Sequence, residues 1–328
     1  MQRRFILLIA VLTVLAPPAA AAADAPGPTD YQSSIIGIDP PTPTIHPSVV
    51  GGDSFLLLTV DRGTTVEVSG YQGEEFLRYE ADGDVFENRA SATYAASKSR
   101  YDGSLPEGFD LDAPADWQRV STDGSYAWHD HRIHWMTDIR PPGKRPGDVV
   151  LRSKLAMVVD GAPVEITVES VWMPSASTAP GWVGAVVGLG AAMLVGLGTR
   201  WRWAGLALVD VAVLATVVGW WQYDSFPPSA WPRPIWFALP LVAALAAVAA
   251  VAVRSVLTRA ALTAVAGVNL LWWGYDRRSG FSSAILPTNA PGWLDRFASG
   301  AALACGPVVA LFALAALVRA VVRPTSAT

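Results

Sequence analysis

Residues 163–199 read PVEITVESVWMPSASTAPGWVGAVVGLGAAMLVGLGT, and this stretch contains the change that decides the fold. From 163 to 173 apolar and polar residues alternate with a period of two, which is typical of a strand with one buried face. From Gly181 onward, 19 residues follow without a charge. A helix of this length crosses about 30 Å of hydrocarbon. The chain therefore passes here from a β-rich region into a membrane-spanning region.

Downstream of this point the sequence predicts an all-α transmembrane bundle of about five helices, with the lipid bilayer as its partner. Unpaired backbone groups are too costly in lipid for an open alternative structure. The domain spans residues 181–328, and its predicted helices lie at about 181–199, 203–221, 235–253, 256–274 and 297–318.

Upstream, residues 24–180 are predicted to form an all-β domain, an Ig-like β-sandwich. About seven short strands separated by turn signals, without a convincing helix, favour this class. Asp160-Gly161 is the strongest hairpin signal. Residues 24–48 are predicted to form an extended arm, and residues 97–120 a surface loop. The predicted strands are 55–60, 64–68, 75–79, 85–88, 126–136, 149–159 and 163–173.

The N-terminus is typical of a signal peptide at residues 1–23. Two arginines precede an apolar run at 5–15, and an Ala-rich stretch offers a cleavage site near 21–23. A retained first helix is the alternative. Export of the β domain agrees with the positive-inside rule, because the loops then left inside carry arginines and no acids. We therefore expect a multi-pass protein of the bacterial plasma membrane with a cytoplasmic C-terminus. These arginines are Arg200, Arg202, Arg254, Arg259, Arg319 and Arg323.

Charge and cysteine content exclude some classes of function. Residues 24–180 hold 24 acidic and 12 basic residues, a net charge of −12. Nucleic-acid binding relies on basic residues that neutralise phosphates, so this partner is not expected. The single cysteine, Cys305, excludes a disulfide within the chain. The chain has no GxSxG, HExxH, P-loop or GxGxxG motif ahead of a helix, and we do not expect an enzyme.

Three of the four histidines, His129, His131 and His134, fall within six residues and are followed by Met136. Imidazole suits copper and zinc, and thioether suits Cu(I), so we expect a site for Cu or Zn. Asp130 and Asp138 are candidates to orient the imidazoles from outside the ligand set.

Strand geometry limits this hypothesis. In a regular strand, His129 and His131 share one face and His134 and Met136 share the other. All three histidines reach one ion only if the strand bends or bulges between His131 and His134; otherwise His129 and His131 form a two-histidine site with a third ligand from elsewhere. The alternative is a structural strand whose histidines bond to carboxylates, with Arg132 paired to an acid and repelling a cation.

Asp210 is an acid within the second apolar stretch, and Asn269 in the fourth is a possible hydrogen-bond partner. An intramembrane acid is a functional hypothesis by default, here a proton or cation relay. The alternative is a hydrogen bond that holds the bundle together.

Residues 70–79 (GYQGEEFLRY), 88–94 (NRASATY) and 128–136 (WHDHRIHWM) resemble a family of bacterial membrane proteins with an exported β-sandwich domain. The family implies no activity. In layout the chain is also similar to bacterial copper-resistance proteins of the C and D type, which join a copper-binding β-sandwich to membrane helices. Those proteins carry a ligand near the mature N-terminus. Here residues 24–26 (DAP) contain no histidine, so no copper ligand is carried over.

The sequence thus predicts an extracytoplasmic protein that handles copper or another transition metal. Two rivals stay open: a cell-envelope interaction module that binds another envelope protein without metal, and a transporter subunit that uses Asp210.

Overall fold

The computed structural model describes residues 26–137, 139–197 and 205–322. For residues 197, 321 and 322 it describes the backbone only. The predicted signal peptide, residues 1–23, and Asp138 lie outside the described residues. Within them, a β domain is followed by a bundle of five long helices. The predicted fold class is confirmed.

The β domain contains ten strands in two antiparallel sheets. The larger sheet has the order β1-β10-β9-β4-β5-β6-β7, and the smaller has the order β2-β3-β8. A short helix, α1 (Ala92–Ala96), follows β6. The strands are β1 (Tyr31–Asp39), β2 (Ile45–Val50), β3 (Phe55–Val60), β4 (Val66–Ser69), β5 (Glu75–Tyr79), β6 (Val85–Asn88), β7 (Trp117–Ser121), β8 (Ser125–Trp128), β9 (Val149–Val159) and β10 (Ala162–Trp172).

Side chains from both sheets form one apolar core. Leu56 and Leu58 of the smaller sheet share it with Leu155 and Ile166 of the larger sheet, and all four are fully buried. Burial of such side chains stabilises a fold by roughly 1.5–3 kcal/mol each. In β10, buried and half-buried residues alternate as the period of two predicts.

The β9–β10 hairpin confirms the strongest turn signal in the sequence. Asp160 and Gly161 both have positive φ, at 48° and 78°. Two-residue hairpin loops of this kind need positive φ, which Asp and Gly tolerate best. The Asp160 carboxylate also accepts a hydrogen bond from the backbone N–H of Thr65 at 2.8 Å, which ties the turn to the chain just before β4.

Two predictions about the β domain are wrong. The proposed arm at 24–48 contains β1 and the start of β2; β1 is an edge strand paired along its length with β10. Its residues are mostly half-buried or exposed, so their polar composition resembles that of a linker. The proposed loop at 97–120 extends too far: residues 97–116 contain no helix or strand, as predicted, but the last four residues belong to β7, another edge strand.

The five long helices are each long and apolar enough to cross a membrane. Glycines allow the first and the last of them to pack closely: a Cβ on Gly184 or Gly188 would collide with the backbone carbonyls of Phe297 and Ala301. Small residues at such crossings are typical of membrane helices. The helices are α2 (Ala179–Leu197), α3 (Leu206–Asp224), α4 (Ile235–Ala252), α5 (Val256–Asp276) and α6 (Gly292–Val322).

The β domain rests on one end of the bundle. Phe55 of β3 packs in an apolar cluster with Phe226 and Trp236, which lie after α3 and in α4. The backbone N–H of Ala127 donates to the Ser229 hydroxyl at 2.9 Å. β3 and β8 therefore connect the bundle to the segment that carries the histidines.

Candidate metal centre

The strand β8 ends at Trp128, before all three histidines of the cluster. Asp130 holds the turn that follows: its carboxylate accepts from the backbone N–H of Arg132 at 2.9 Å and from the Trp128 indole N–H at 2.8 Å. His131–Ile133 then form a single 3-10 turn, and Ile133 is fully buried in the core. This turn corrects the continuous strand that was predicted over 126–136.

Because of the turn, the three imidazoles meet. One ring nitrogen of each of His129, His131 and His134 lies within 4.8 Å of the others. The ring centroids are 4.7 Å apart for His129 and His134, 5.3 Å for His129 and His131, and 5.5 Å for His131 and His134. His129 and His134 are buried and His131 is half-buried. The bend that a three-histidine site requires is therefore present.

Each imidazole has one nitrogen bonded to a backbone carbonyl. His129 Nδ1 lies 2.8 Å from Ser54 O, His131 Nε2 lies 2.8 Å from Ser99 O, and His134 Nδ1 lies 3.0 Å from Trp135 O. A carbonyl oxygen only accepts, so these three nitrogens carry the protons. The lone pairs left free are those of His129 Nε2, His131 Nδ1 and His134 Nε2. Metal-binding histidines are commonly oriented in this way, by donating their second N–H to a carbonyl or carboxylate.

The free nitrogens of two rings face each other. His129 Nε2 and His134 Nε2 are 3.1 Å apart. With both protons on Nδ1, neither nitrogen can donate, so two lone pairs repel unless a cation lies between or beside them. Two nitrogens on one tetrahedral zinc ion, each bonded at 2.0–2.1 Å, are about 3.3 Å apart. The spacing is therefore close to that of two ligands of one ion.

Burial keeps these two imidazoles neutral. It lowers the pKa of His129 from 6.5 to about 4, and the positive charge of Arg100 acts in the same direction. It lowers the pKa of His134 to about 3, and the positive charge of Arg100 again acts in the same direction. Neutral imidazole is the form that binds metal ions. At neutral pH a proton therefore does not compete with a metal ion for the free nitrogens of these two rings.

Two buried ion pairs flank the cluster. Arg100 lies 2.6 Å from the Asp53 carboxylate, and Arg132 lies 2.8 Å from the Asp130 carboxylate. Burial alone would raise the pKa of Asp130, but Arg132 lowers it below its usual value. The expectation that Asp130 orients an imidazole is therefore wrong: it bonds to Trp128 and Arg132, and carbonyls orient the rings. Asp138, the other candidate, is outside the described residues.

Met136 borders the same space as the free nitrogen of His131. A Cβ placed on Gly103 would lie 3.2 Å from His131 Nδ1 and 3.7 Å from Met136 Cε. Gly103 is exposed and Met136 is half-buried, so this side of the cluster is open to solvent. The fourth histidine, His46, is in β2 and pairs with Asp61 at 3.1 Å; it is not part of the cluster.

The intramembrane pair is not formed. Asn269 is buried, but its side-chain amide donates to Val265 O in its own helix at 2.8 Å. Asp210 is exposed on the bundle surface near the start of α3. Among the residues that the structure describes, no hydrogen bond or ion pair reaches Asp210. The predicted hydrogen bond between these side chains is therefore wrong.

Sequence reasoning missed the groups that orient the imidazoles. The carbonyls of Ser54 and Ser99 come from the turn before β3 and from the loop after α1. Backbone carbonyls have no residue signature, so no sequence signal identifies them. Tyr71, which stacks on His131 at 5.6 Å between ring centroids and accepts its backbone N–H, was also missed.

A cavity of ≈ 670 Å³ adjoins the cluster. It lies between the β domain and the segment that joins α3 to α4, and His129, Ser229 and Trp231 are among the residues that line it. The histidine cluster is thus close to the end of the helical bundle as well as to the solvent at Gly103. No protein-family model, curated protein or solved structure matches this chain, so the geometry of the histidine cluster is what indicates a function.

Proposed function

We propose that this chain is a non-catalytic membrane protein that binds a transition-metal ion, Cu or Zn, in its β domain. The observation that carries the proposal is the orientation of the three imidazoles. A backbone carbonyl accepts from one nitrogen of each ring, the free nitrogens of His129 and His134 lie 3.1 Å apart, and one ring nitrogen of each of the three histidines lies within 4.8 Å of the others. Burial of histidines in an apolar core does not require that a backbone carbonyl orient each ring.

In this proposal, the metal centre lies on the outer side of the plasma membrane of a bacterium. If the five helices cross the bilayer, the two ends of the bundle lie on opposite sides of it. The segments that join α3 to α4 and α5 to α6 contact the β domain, so they lie on the same side as this domain. The arginine-rich connections are then at the opposite end, which the positive-inside rule assigns to the cytoplasm. An exported site would meet metal ions before they reach the membrane.

The transporter alternative has less support. A relay through the bundle needs polar groups in sequence, whereas Asp210 is exposed on the bundle surface and Asn269 bonds to its own helix. The bundle therefore serves as an anchor and a platform for the metal-binding domain in this proposal.

Metal titration of the full chain in detergent, after removal of bound ions, tests the proposal. We expect the wild type to bind one equivalent of Zn(II) or Cu, and the His129→Ala/His131→Ala variant to lose about 100-fold or more in affinity. His46→Ala is the matched control, because this histidine is exposed and outside the cluster.

Two readouts keep the test interpretable. Circular dichroism shows whether the double variant still folds. If it does not, the single variant His131→Gln takes its place, because it changes only the half-buried ring. Affinity that is equal in wild type and in both cluster variants would refute the metal site. A protein partner crosslinked regardless of chelator would then favour the interaction-module alternative.

A further inference from the structure

The donor set of the histidine cluster carries no negative charge. Its three members are imidazoles, and within the described residues no carboxylate or thiolate joins them. The buried carboxylates of Asp53 and Asp130 each have a guanidinium as partner. An ion bound here would keep its whole charge in a partly buried site.

The free nitrogen of His131 lies beside a sulfur-containing side chain. Ser99 O fixes the proton of His131 on Nε2, so the ring binds a metal through Nδ1. That nitrogen and the terminal methyl of Met136 both border the position that a Gly103 side chain would fill.

We propose that the site is selective for Cu(I) and that the Met136 thioether is its fourth ligand. The inference rests on the proposed function, since it names the ion and completes the ligand set of the same centre. Gly103 leaves the path from solvent to His131 Nδ1 open, so the ion reaches the site past Met136.

Charge and ligand softness both favour this ion. The cost of moving an ion from water into a low-dielectric site grows with the square of its charge, so a divalent ion with neutral ligands costs far more than a monovalent one. Thioether sulfur is a soft ligand that selects Cu(I), and imidazole accepts it as well. Zn(II) gains little from Met136 and would need an added anion to lower the charge of the site.

The test compares two ions and two methionines in the full chain. Cu(I), kept reduced without oxygen, is measured by competition with a coloured Cu(I) chelator, and Zn(II) with a coloured Zn(II) chelator. Met136→Leu removes the sulfur and keeps the volume. Met173→Leu is the matched control, because Met173 is also half-buried but follows β10, outside the cluster.

We expect the wild type to bind Cu(I) more tightly than Zn(II). Met136→Leu is expected to weaken Cu(I) binding by at least about tenfold, with Zn(II) affinity changed by less than about threefold. Met173→Leu should behave as wild type. Unchanged Cu(I) affinity in Met136→Leu, or tighter binding of Zn(II) than of Cu(I), would overturn this inference while leaving the metal site intact. Binding of neither ion would instead refute the proposed function.

Discussion

His129 Nε2 and His134 Nε2 face each other at 3.1 Å with their protons held on the opposite nitrogens. In the metal-free protein this contact is repulsive, and protonating either ring would relieve it only by burying a charge. Both pKa values are lowered for that reason, to about 4 for His129 and about 3 for His134. The arrangement stabilises the fold less than a hydrogen bond would, and it suits a site whose cation arrives from outside.

The lowered pKa values predict how stability depends on pH in the chelator-treated protein. The unfolded chain takes up protons at its histidines near pH 6.5, whereas the folded chain does so only near pH 4 and 3. Stability is therefore full above about pH 6.5 and falls as the pH drops, by up to about 1.4 kcal/mol per pH unit for each ring.

Denaturant unfolding of the full chain between pH 6.5 and 5 checks this, because most carboxylates stay ionised in that range. We expect the slope to flatten in a His129→Gln/His134→Gln variant and to persist in His46→Gln. A wild-type stability that rises as the pH falls through this range would contradict the assignment of two neutral, buried rings.

At the scale of the element, the turn after β8 depends on Asp130. Its carboxylate is fully buried and receives hydrogen bonds from Trp128 and from the backbone and guanidinium of Arg132. Removing one partner of a buried ion pair leaves an uncompensated charge, which costs about 3–5 kcal/mol.

Asp130→Asn is therefore expected to destabilise the β domain by about 3–5 kcal/mol and to weaken metal binding, because His131 is in the turn. Asp84→Asn is the matched control: Asp84 pairs with Arg119 at 3.0 Å, but that guanidinium is 58% exposed. Exposed pairs contribute about 0–1 kcal/mol. Equal losses in the two variants, measured by chemical unfolding in detergent, would show that Asp130 does not hold the turn.

Elements with a local pattern were predictable from the sequence. The bounds predicted for β3, β5, β6 and β9 agree with the structure, and those of β10 differ by one residue at each end. The helices of the bundle were found because hydrocarbon length is a local property. α6 begins five residues earlier and ends four residues later than predicted, because its ends are less apolar than its centre.

The histidine cluster was predictable in composition and not in geometry. Three histidines and a methionine in one segment suggest metal-binding chemistry, but alternation continues past Trp128 and suggests a strand where the chain turns. Asp130 is the residue responsible, and its role depends on Arg132 being buried next to it. The carbonyls of Ser54 and Ser99 come from distant segments, so only the tertiary structure brings them to the imidazoles.

At the scale of the whole molecule, the histidine cluster and the bundle are adjacent. Ser54 holds His129 through its carbonyl, and the next residue, Phe55, packs against Phe226 and Trp236 of the helical region. One residue, Ser54, therefore separates the histidine cluster from the contact between the two domains. The bundle holds the β domain in a defined position, and the cavity between them borders His129.

The topology is testable with reporter fusions to the full chain. A reporter placed after residue 322 is expected to be cytoplasmic, and one inserted at Ser283, in the segment between α5 and α6, is expected to be outside. Five spans and the distribution of arginines give this orientation. A reporter at Ser283 that is active only in the cytoplasm would reverse the orientation and place the metal centre inside the cell.

The most direct test of the central claim is X-ray absorption by the full chain loaded with one equivalent of Zn(II). We expect a first shell that contains three imidazole nitrogens at about 2.0–2.1 Å. A first shell made only of oxygen, or a spectrum that is the same in the His129→Ala/His131→Ala variant, would contradict the assignment of these histidines as metal ligands.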